Sequence, residues 1–168
     1  MNYFELYEIP IAFLIDPLAL KKKYFELSRK YHPDFFSQEN ESEQAEALEK
    51  SSTVNKALKI FQNKNETIKY VLQLKNLLEE EEKYQLPPAF LMQMMELNEQ
   101  LADAKMEAEM GGKDKVKKDL ANMESEIYAP VKDILENYND DATPTEDLLK
   151  VKEYYFKKKY LERILAAM

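Results

Sequence analysis

Apolar side chains recur at helical spacing along most of the chain. The first long run begins at Asp16-Pro17, where aspartate can cap a helix and proline suits its first position. It ends at His32-Pro33, because the residue before a proline is pushed out of the α region. Four apolar or aromatic positions at i, i+4, i+7 and i+11 predict one buried stripe. They are Leu20, Tyr24, Leu27 and Tyr31.

A second helix is predicted over residues 41–61, after a polar loop at 35–42. Two long helices joined by a short loop favour an antiparallel hairpin. Short helices at residues 3–7 and 67–77 are expected to flank it, with Asn63-Lys64-Asn65 as the break before the latter. The side chains expected to face inward from the second helix are Ala45, Leu48, Ser52, Val54, Ala57, Leu58 and Phe61.

The second half of the chain opens at Leu86-Pro87-Pro88, a strong helix breaker. Three helical runs follow, at 88–110, 113–138 and from 145 almost to the C-terminus. Gly111-Gly112 is expected to end the first run, and Pro130 to kink the second. Thr143-Pro144 is expected to start the third. The prediction is an all-α, L-shaped protein with an N-terminal hairpin domain at 1–77, a linker at 78–87 and a three-helix bundle at 88–168.

The first helix of the bundle has more apolar residues than one buried face needs. A complete core stripe is formed by Phe90, Met94, Leu97, Leu101 and Ala104. Leu91, Met92 and Met95 lie beside that stripe. Methionine suits adaptable contact surfaces, so these three residues predict a binding face for a partner protein. The alternative is that they pack under a long loop or against the N-terminal domain.

Composition narrows the classes of function. The chain has 168 residues, two glycines, 33% charged residues and a net charge of −8, and the scarcity of glycine favours helix. Residues 1–75 carry 11 basic and 11 acidic side chains, whereas residues 76–168 carry 13 and 21. An acidic second half argues against nucleic-acid binding there. The apolar runs are too short to span a membrane, and the N-terminus does not resemble a signal peptide. We therefore expect a cytoplasmic protein from a bacterium, with the matured form of an organelle protein as the alternative.

The sequence offers little for catalysis or metal binding. There is no cysteine, His32 is the only histidine, and no glycine-rich phosphate loop is present. With Pro33 between them, His32 and Asp34 are not expected to bring their side chains together as a base and its orienting carboxylate. We therefore expect no enzymatic activity and no cofactor. A rigid, charged bend instead predicts a site that a partner protein recognises. The alternative is that these residues only cap and turn the helix.

The residues Lys30-Tyr31-His32-Pro33-Asp34, after a basic amphipathic helix and before a second helix, resemble a J-domain. That family stimulates ATP hydrolysis by DnaK-class chaperones. More specifically, the chain resembles the HscB family of iron–sulfur cluster assembly co-chaperones. The resemblance covers almost the whole chain. It is carried by Tyr3-Phe4-Glu5-Leu6, Pro10, Asp16, Ala19-Leu20, the 31–34 tip, Ser51–Ala57 and Ala89–Leu97.

This resemblance implies two partners. The J-domain implies contact with a DnaK-class chaperone, HscA in that family, and the C-terminal bundle implies binding of the iron–sulfur scaffold protein IscU. The residues implied in chaperone binding and ATPase stimulation are His32, Pro33, Asp34, Lys21, Lys22, Arg29 and Lys30. Those implied in scaffold binding are Leu91, Met92, Met95, Glu96, Glu99, Asp103 and an aromatic side chain of the last helix, best matched by Tyr160, with Tyr155 or Phe156 as alternatives.

The chain departs from the family pattern in places. Phe35 stands where the family commonly has lysine, which removes one charge from the tip. The cysteines of some eukaryotic relatives, and the glycine/phenylalanine linker and zinc domain of general DnaJ chaperones, are absent. Two alternatives remain open at this point. The protein could be a J-domain protein with a different client, or a structural helical adaptor with a decayed J-domain.

Overall fold

The computed structural model describes residues 1–107 and 110–168, and in that part of the chain it contains helices but no strand. The helices are α1 (Tyr3–Leu6), α2 (Pro17–Lys30), α3 (Glu41–Gln62), α4 (Lys64–Leu74), α5 (Pro88–Glu107), α6 (Met110–Tyr128), α7 (Lys132–Glu136) and α8 (Thr145–Ala166), with a 3-10 turn at Pro33–Phe36. The chain divides into two compact units. Unit 1 comprises residues 1–74 and 138–142, and unit 2 comprises residues 75–137 and 143–168.

In unit 1, the aromatic N-terminal turn is attached to the helical hairpin. Phe4 and Tyr7 are buried, and the Phe4 ring lies 4.9 Å from that of Phe61. The Tyr7 hydroxyl donates a hydrogen bond of 2.7 Å to the Val54 carbonyl. Burial raises the pKa of Tyr7 well above its usual value, so the hydroxyl keeps its proton and stays a donor. The predicted short helix at the start of the chain is confirmed, and its aromatic side chains dock it on the hairpin.

The predicted start of α2 is confirmed, because Asp16 caps the helix by accepting the Leu18 N–H at 3.3 Å. Leu20 and Leu27 are buried, while Tyr24 and Tyr31 are half-buried at the edge of the same stripe. Helix α2 therefore packs on α3 through the predicted face and leaves its other side in solvent.

The predicted inward face of α3 is partly wrong. Ala45, Leu48 and Ser52 are exposed, and Ala47 is buried in their place. The buried stripe runs through Ala47, Val54, Ala57 and Phe61. Counting back from Phe61 in steps of seven, which is close to two helical turns, gives positions 54 and 47. The weakly apolar start of the helix thus follows the face set by its C-terminal half.

A single asparagine makes the break between α3 and α4. Asn63 ends α3, and its side-chain oxygen accepts the Glu66 N–H at 3.0 Å, as an N-cap does. Helix α4 therefore starts at Lys64 and ends at Leu74, each three residues earlier than predicted. Its apolar side chains Ile68, Val71 and Leu72 are buried.

Unit 2 contains the predicted helix bundle, in which α5 and α8 each pack on α6 and on one another. The predicted core stripe of α5 is confirmed, since all five of its residues are buried. The bundle core is formed by Phe90, Met94, Leu97, Leu101, Val116, Leu120, Leu161 and Ile164. Three helices with facing apolar stripes thus share one core.

Gly111-Gly112 does not end a helix as predicted, because α6 begins at Met110 and contains both glycines. Residues 108 and 109 lie outside the described part of the chain. A Cβ atom at Gly112 would stand 2.9 Å from the Cβ of Ala104 on α5. Because Gly112 has no side chain, α5 and α6 can approach each other closely. The glycine therefore serves helix packing and does not form a turn.

The region around Pro130 is a break rather than a kink inside one helix. Helix α6 ends at Tyr128 and the short α7 begins at Lys132. Proline has no N–H to donate and its ring clashes with the preceding turn, so the helix stops two residues before it. Pro144 precedes Thr145, the first residue of α8, and is itself the N-cap residue, which makes no side-chain capping hydrogen bond.

Two methionines on α5 give a matched test of the packing. Met94 is fully buried (0% exposed), whereas Met92, two residues earlier, is 65% exposed. Met94→Ala is expected to lower the free energy of unfolding by about 2–5 kcal/mol, because it removes core contacts and leaves a cavity. Met92→Ala is expected to change it by no more than about 0.5 kcal/mol. Urea denaturation measures both, and similar losses in the two variants would contradict the orientation of α5.

Candidate functional site

The tip between α2 and α3 is built by a short hydrogen-bonded turn. His32 has extended backbone angles and caps the 3-10 turn that begins at Pro33. Its ring nitrogen Nδ1 accepts the Asp34 backbone N–H at 3.2 Å, and its carbonyl accepts the Phe35 N–H at 3.1 Å. Proline fixes one further backbone angle. The three residues at positions 32–34 are therefore exposed and have a fixed backbone, so they would lose little conformational entropy on binding a partner.

The His32 and Asp34 side chains come closer than the sequence suggested. Nδ1 lies 3.5 Å from a carboxylate oxygen of Asp34, which is the second residue of the 3-10 turn. Nδ1 already accepts the Asp34 N–H, so in the neutral ring the proton is on Nε2. The carboxylate therefore does not orient the ring as in a catalytic base pair. Within the described residues, no group of three potential metal-binding side chains was found.

Four cationic side chains are exposed on α2. Arg29 and Lys30 lie in the last turn, next to the tip, and Lys21 and Lys22 lie about two turns earlier. Among the residues that the structure describes, none of the four has a carboxylate within ion-pair distance. Lys23, in contrast, is half-buried and forms ion pairs. Its ammonium nitrogen lies 3.6 Å from a carboxylate oxygen of Glu8 and 3.7 Å from one of Glu26. The four exposed cations, named here the basic face, thus keep their charge available for a partner.

The second predicted surface lies on α5, extending from beside the core stripe, at Leu91, to the opposite side of the helix. Leu91, Met92 and Met95 are 37%, 65% and 61% exposed. Carboxylates border them along the helix, and all are exposed: Glu96, Glu99 and Asp103. Positions 92, 95, 96, 99 and 103 fall on one helical face. This apolar-acidic face is the type of surface that marks a protein-binding site.

The aromatic candidates on α8 differ in accessibility. Tyr155 is buried, so its ring is not available to a partner. Tyr160 and Phe156 are half-buried, and both line a cavity of about 630 Å³ that Leu91 also lines. The structure therefore brings Tyr160 beside one end of the α5 face, and it places Phe156 in the same cavity.

The segment predicted as a linker contributes to this cavity, which the sequence did not indicate. The Tyr84 ring stacks on Phe156 at 4.6 Å, and Glu82 lies 2.7 Å from Lys152 of α8. Burial, with the carboxylates of Glu153 and Glu82, raises the pKa of Tyr84. In the sequence, the one signal for this contact is an aromatic residue just after four glutamates at positions 79–82. Its ring partner, Phe156, is 72 residues further along the chain (156 − 84).

Comparison with known proteins identifies the family. A co-chaperone protein HscB homologue from Psychromonas ingrahamii is 33% identical over 162 residues, covering 94% of this chain and 92% of its own length. The chain belongs to the HscB co-chaperone family. The family model of the HSCB C-terminal oligomerisation domain matches residues 86–168. The human iron–sulfur cluster co-chaperone protein HscB is 31% identical over 97% of this chain, which spans 65% of the human protein's length.

Solved structures of HscB proteins confirm the all-α fold. The crystal structure of human co-chaperone protein HscB has a TM-score of 0.79 at 27% identity, covering 99% of this chain and 80% of the human chain. Chaperone HscB from Vibrio cholerae has a TM-score of 0.66 at 25% identity, covering 99% of both chains. Family membership and the role of co-chaperone follow. None of the helices within residues 1–107 and 110–168 combines the length and the hydropathy that a membrane span requires.

Proposed function

We propose that the protein binds an iron–sulfur cluster scaffold protein of the IscU type and delivers it to a DnaK-class chaperone of the HscA type. It stimulates ATP hydrolysis by that chaperone and so promotes transfer of the cluster. His32, Pro33 and Asp34 act as the trigger, and the basic face on α2 guides docking. The protein itself carries out no bond chemistry in this scheme, since the hydrolysis occurs in the partner.

The observation that best supports this proposal is the geometry of the tip in a member of this family. The tip is exposed, and its backbone is fixed by Pro33 and by the hydrogen bond from Asp34 to His32. A fixed loop loses little conformational entropy on binding. The neighbouring basic face attracts an acidic partner and speeds its encounter. An ATPase domain with an acidic docking surface fits both features.

The scaffold-binding part of the proposal rests on the α5 face. Its methionine and leucine side chains offer adaptable apolar contacts, and its carboxylates select a basic surface on the partner. The tip lies in unit 1 and the α5 face in unit 2, so the two partners use different surfaces. One molecule that holds both partners raises their effective concentration, and modest single affinities then suffice.

The test is steady-state ATP hydrolysis by the purified DnaK-class chaperone of the iron–sulfur system. Adding this protein is expected to raise the rate, and adding the scaffold protein as well is expected to raise it further. Titration of labelled scaffold against this protein alone should show direct binding. A chaperone rate unchanged by this protein would favour the structural-adaptor alternative. Stimulation without scaffold binding would indicate a J-domain protein with a different client.

A further inference from the structure

We propose that Phe25 and Phe35 form an apolar anchor beside the tip, which takes an aliphatic side chain from the acidic docking surface of the chaperone. This inference rests on the proposed function and adds two contact residues to it. Docking then combines charge attraction with apolar burial. The expectation that position 35 merely loses a docking charge is thereby replaced by a specific role for its ring.

The two rings are exposed without serving the core. Phe25 is 54% exposed and Phe35 is 67% exposed, although each ring is large and apolar. Both line a shallow groove of about 360 Å³, together with Ser28, Arg29, His32 and Asp34. An apolar groove with polar groups on its rim is typical of a protein-binding site. It includes the proposed trigger residues, so it lies within the proposed chaperone interface.

The charges around the groove indicate the partner's chemistry. The Lys21 ammonium lies 5.9 Å from the centre of the Phe25 ring, and Arg29 lines the groove itself. The Phe35 ring lies 6.3 Å from that of His32, in an edge-on arrangement. An aliphatic side chain between the rings, with a carboxylate next to it, satisfies both the apolar walls and Arg29. A basic partner, such as the surface of another J-domain, is disfavoured by repulsion.

The anchor has a consequence for the dependence of docking on salt. Attraction between exposed charges weakens at high ionic strength, because the screening length shrinks from about 10 Å at 0.1 M to about 3 Å at 1 M. Apolar burial is not screened in this way. Docking through Phe25 and Phe35 should therefore persist at salt concentrations that abolish contacts made by the basic face alone.

The experiment measures the concentration of this protein that gives half-maximal ATPase stimulation, and direct binding to the ATP-bound chaperone. Phe25→Ala/Phe35→Ala is expected to raise both the half-maximal concentration and the dissociation constant by about tenfold or more. The maximal rate is expected to stay near that of the wild type, since His32, Pro33 and Asp34 are unchanged. Phe35→Lys is expected to bind normally at low salt and to lose affinity more steeply as salt rises.

The control is Leu18→Ala, which removes another exposed apolar side chain of α2 outside the groove. It is expected to change the half-maximal concentration less than about twofold. Thermal unfolding should show that all variants remain folded. Wild-type affinity in the folded double variant, or an equal effect of Leu18→Ala, overturns the anchor alone. Absence of stimulation and binding by the wild type would overturn the proposed function as well.

Discussion

Replacing Leu91, Met92 and Met95 together by alanine is expected to weaken binding of the iron–sulfur scaffold protein by about 100-fold or more. Truncating one side chain at the centre of such a patch costs about 1–3 kcal/mol. Three losses at the lower limit give about 3 kcal/mol, which is more than about a hundredfold in the dissociation constant. The three side chains are exposed, so the variant should fold normally.

The matched control for the scaffold experiment is Met106→Ala. Met106 also lies on α5 and is strongly exposed, but it is beyond Asp103 and about 16 Å along the helix from Met95. Its replacement should leave the affinity for the scaffold within about twofold of the wild type. Isothermal titration calorimetry measures both variants. Unchanged affinity in the triple variant would move the scaffold site elsewhere, and an equal loss with Met106→Ala would show that the effect is not local.

His32→Gln is expected to reduce stimulation of the chaperone ATPase to near the basal rate, a loss of about tenfold or more, which corresponds to about 1.4 kcal/mol. Glutamine is flexible and lacks the rigid imidazole whose Nδ1 receives the Asp34 N–H and whose Nε2 carries a proton. His32→Gln therefore removes both the fixed shape of the tip and the Nε2–H donor. Steady-state ATP hydrolysis over a range of protein concentrations provides the measurement.

Gln38→Ala is the control for the tip, because Gln38 is exposed in the same loop but follows the 3-10 turn. Full stimulation is expected from this variant. Scaffold affinity should be unaffected by His32→Gln, since His32 belongs to unit 1 and the α5 face to unit 2. The trigger assignment is wrong if His32→Gln stimulates as well as the wild type. The two experiments together separate failure of the chaperone contact from failure of the scaffold contact.

Much of the local structure could be predicted because it depends on neighbouring residues. Asp16 and Pro17 set the start of α2, and Pro33 sets its end. The spacing of apolar residues along α5 predicts its buried stripe correctly. The same spacing marks Leu91, Met92 and Met95 as surplus to the core, and these side chains are exposed. Such signals act over one or two helical turns, so periodicity reveals them.

The incorrect predictions have a common cause. The start of α3 has few apolar residues, and its buried face is fixed by contacts of Val54 and Phe61 with the N-terminal aromatic residues. In the sequence, Gly112 resembles a residue that ends a helix. Its actual role is to allow close packing against Ala104 of the facing helix, and the residues next to Gly112 do not indicate that contact. The neighbouring residues also do not identify Phe156 as the ring partner of Tyr84. In each case the deciding neighbour lies in another segment of the chain.

By itself, the sequence determined the helical class, the main caps, the core stripe of α5 and a resemblance to the HscB family, which the comparisons with known proteins confirmed. Each depends on residue types and spacings within one segment. Only the tertiary structure decided which face α3 buries, how the segment before α5 packs on α8, and which aromatic side chains of α8 remain accessible. It also placed Phe25 and Phe35 in the lining of one groove at the tip. Those features arise where separate segments meet, and packing between segments leaves no periodic signal in a single chain.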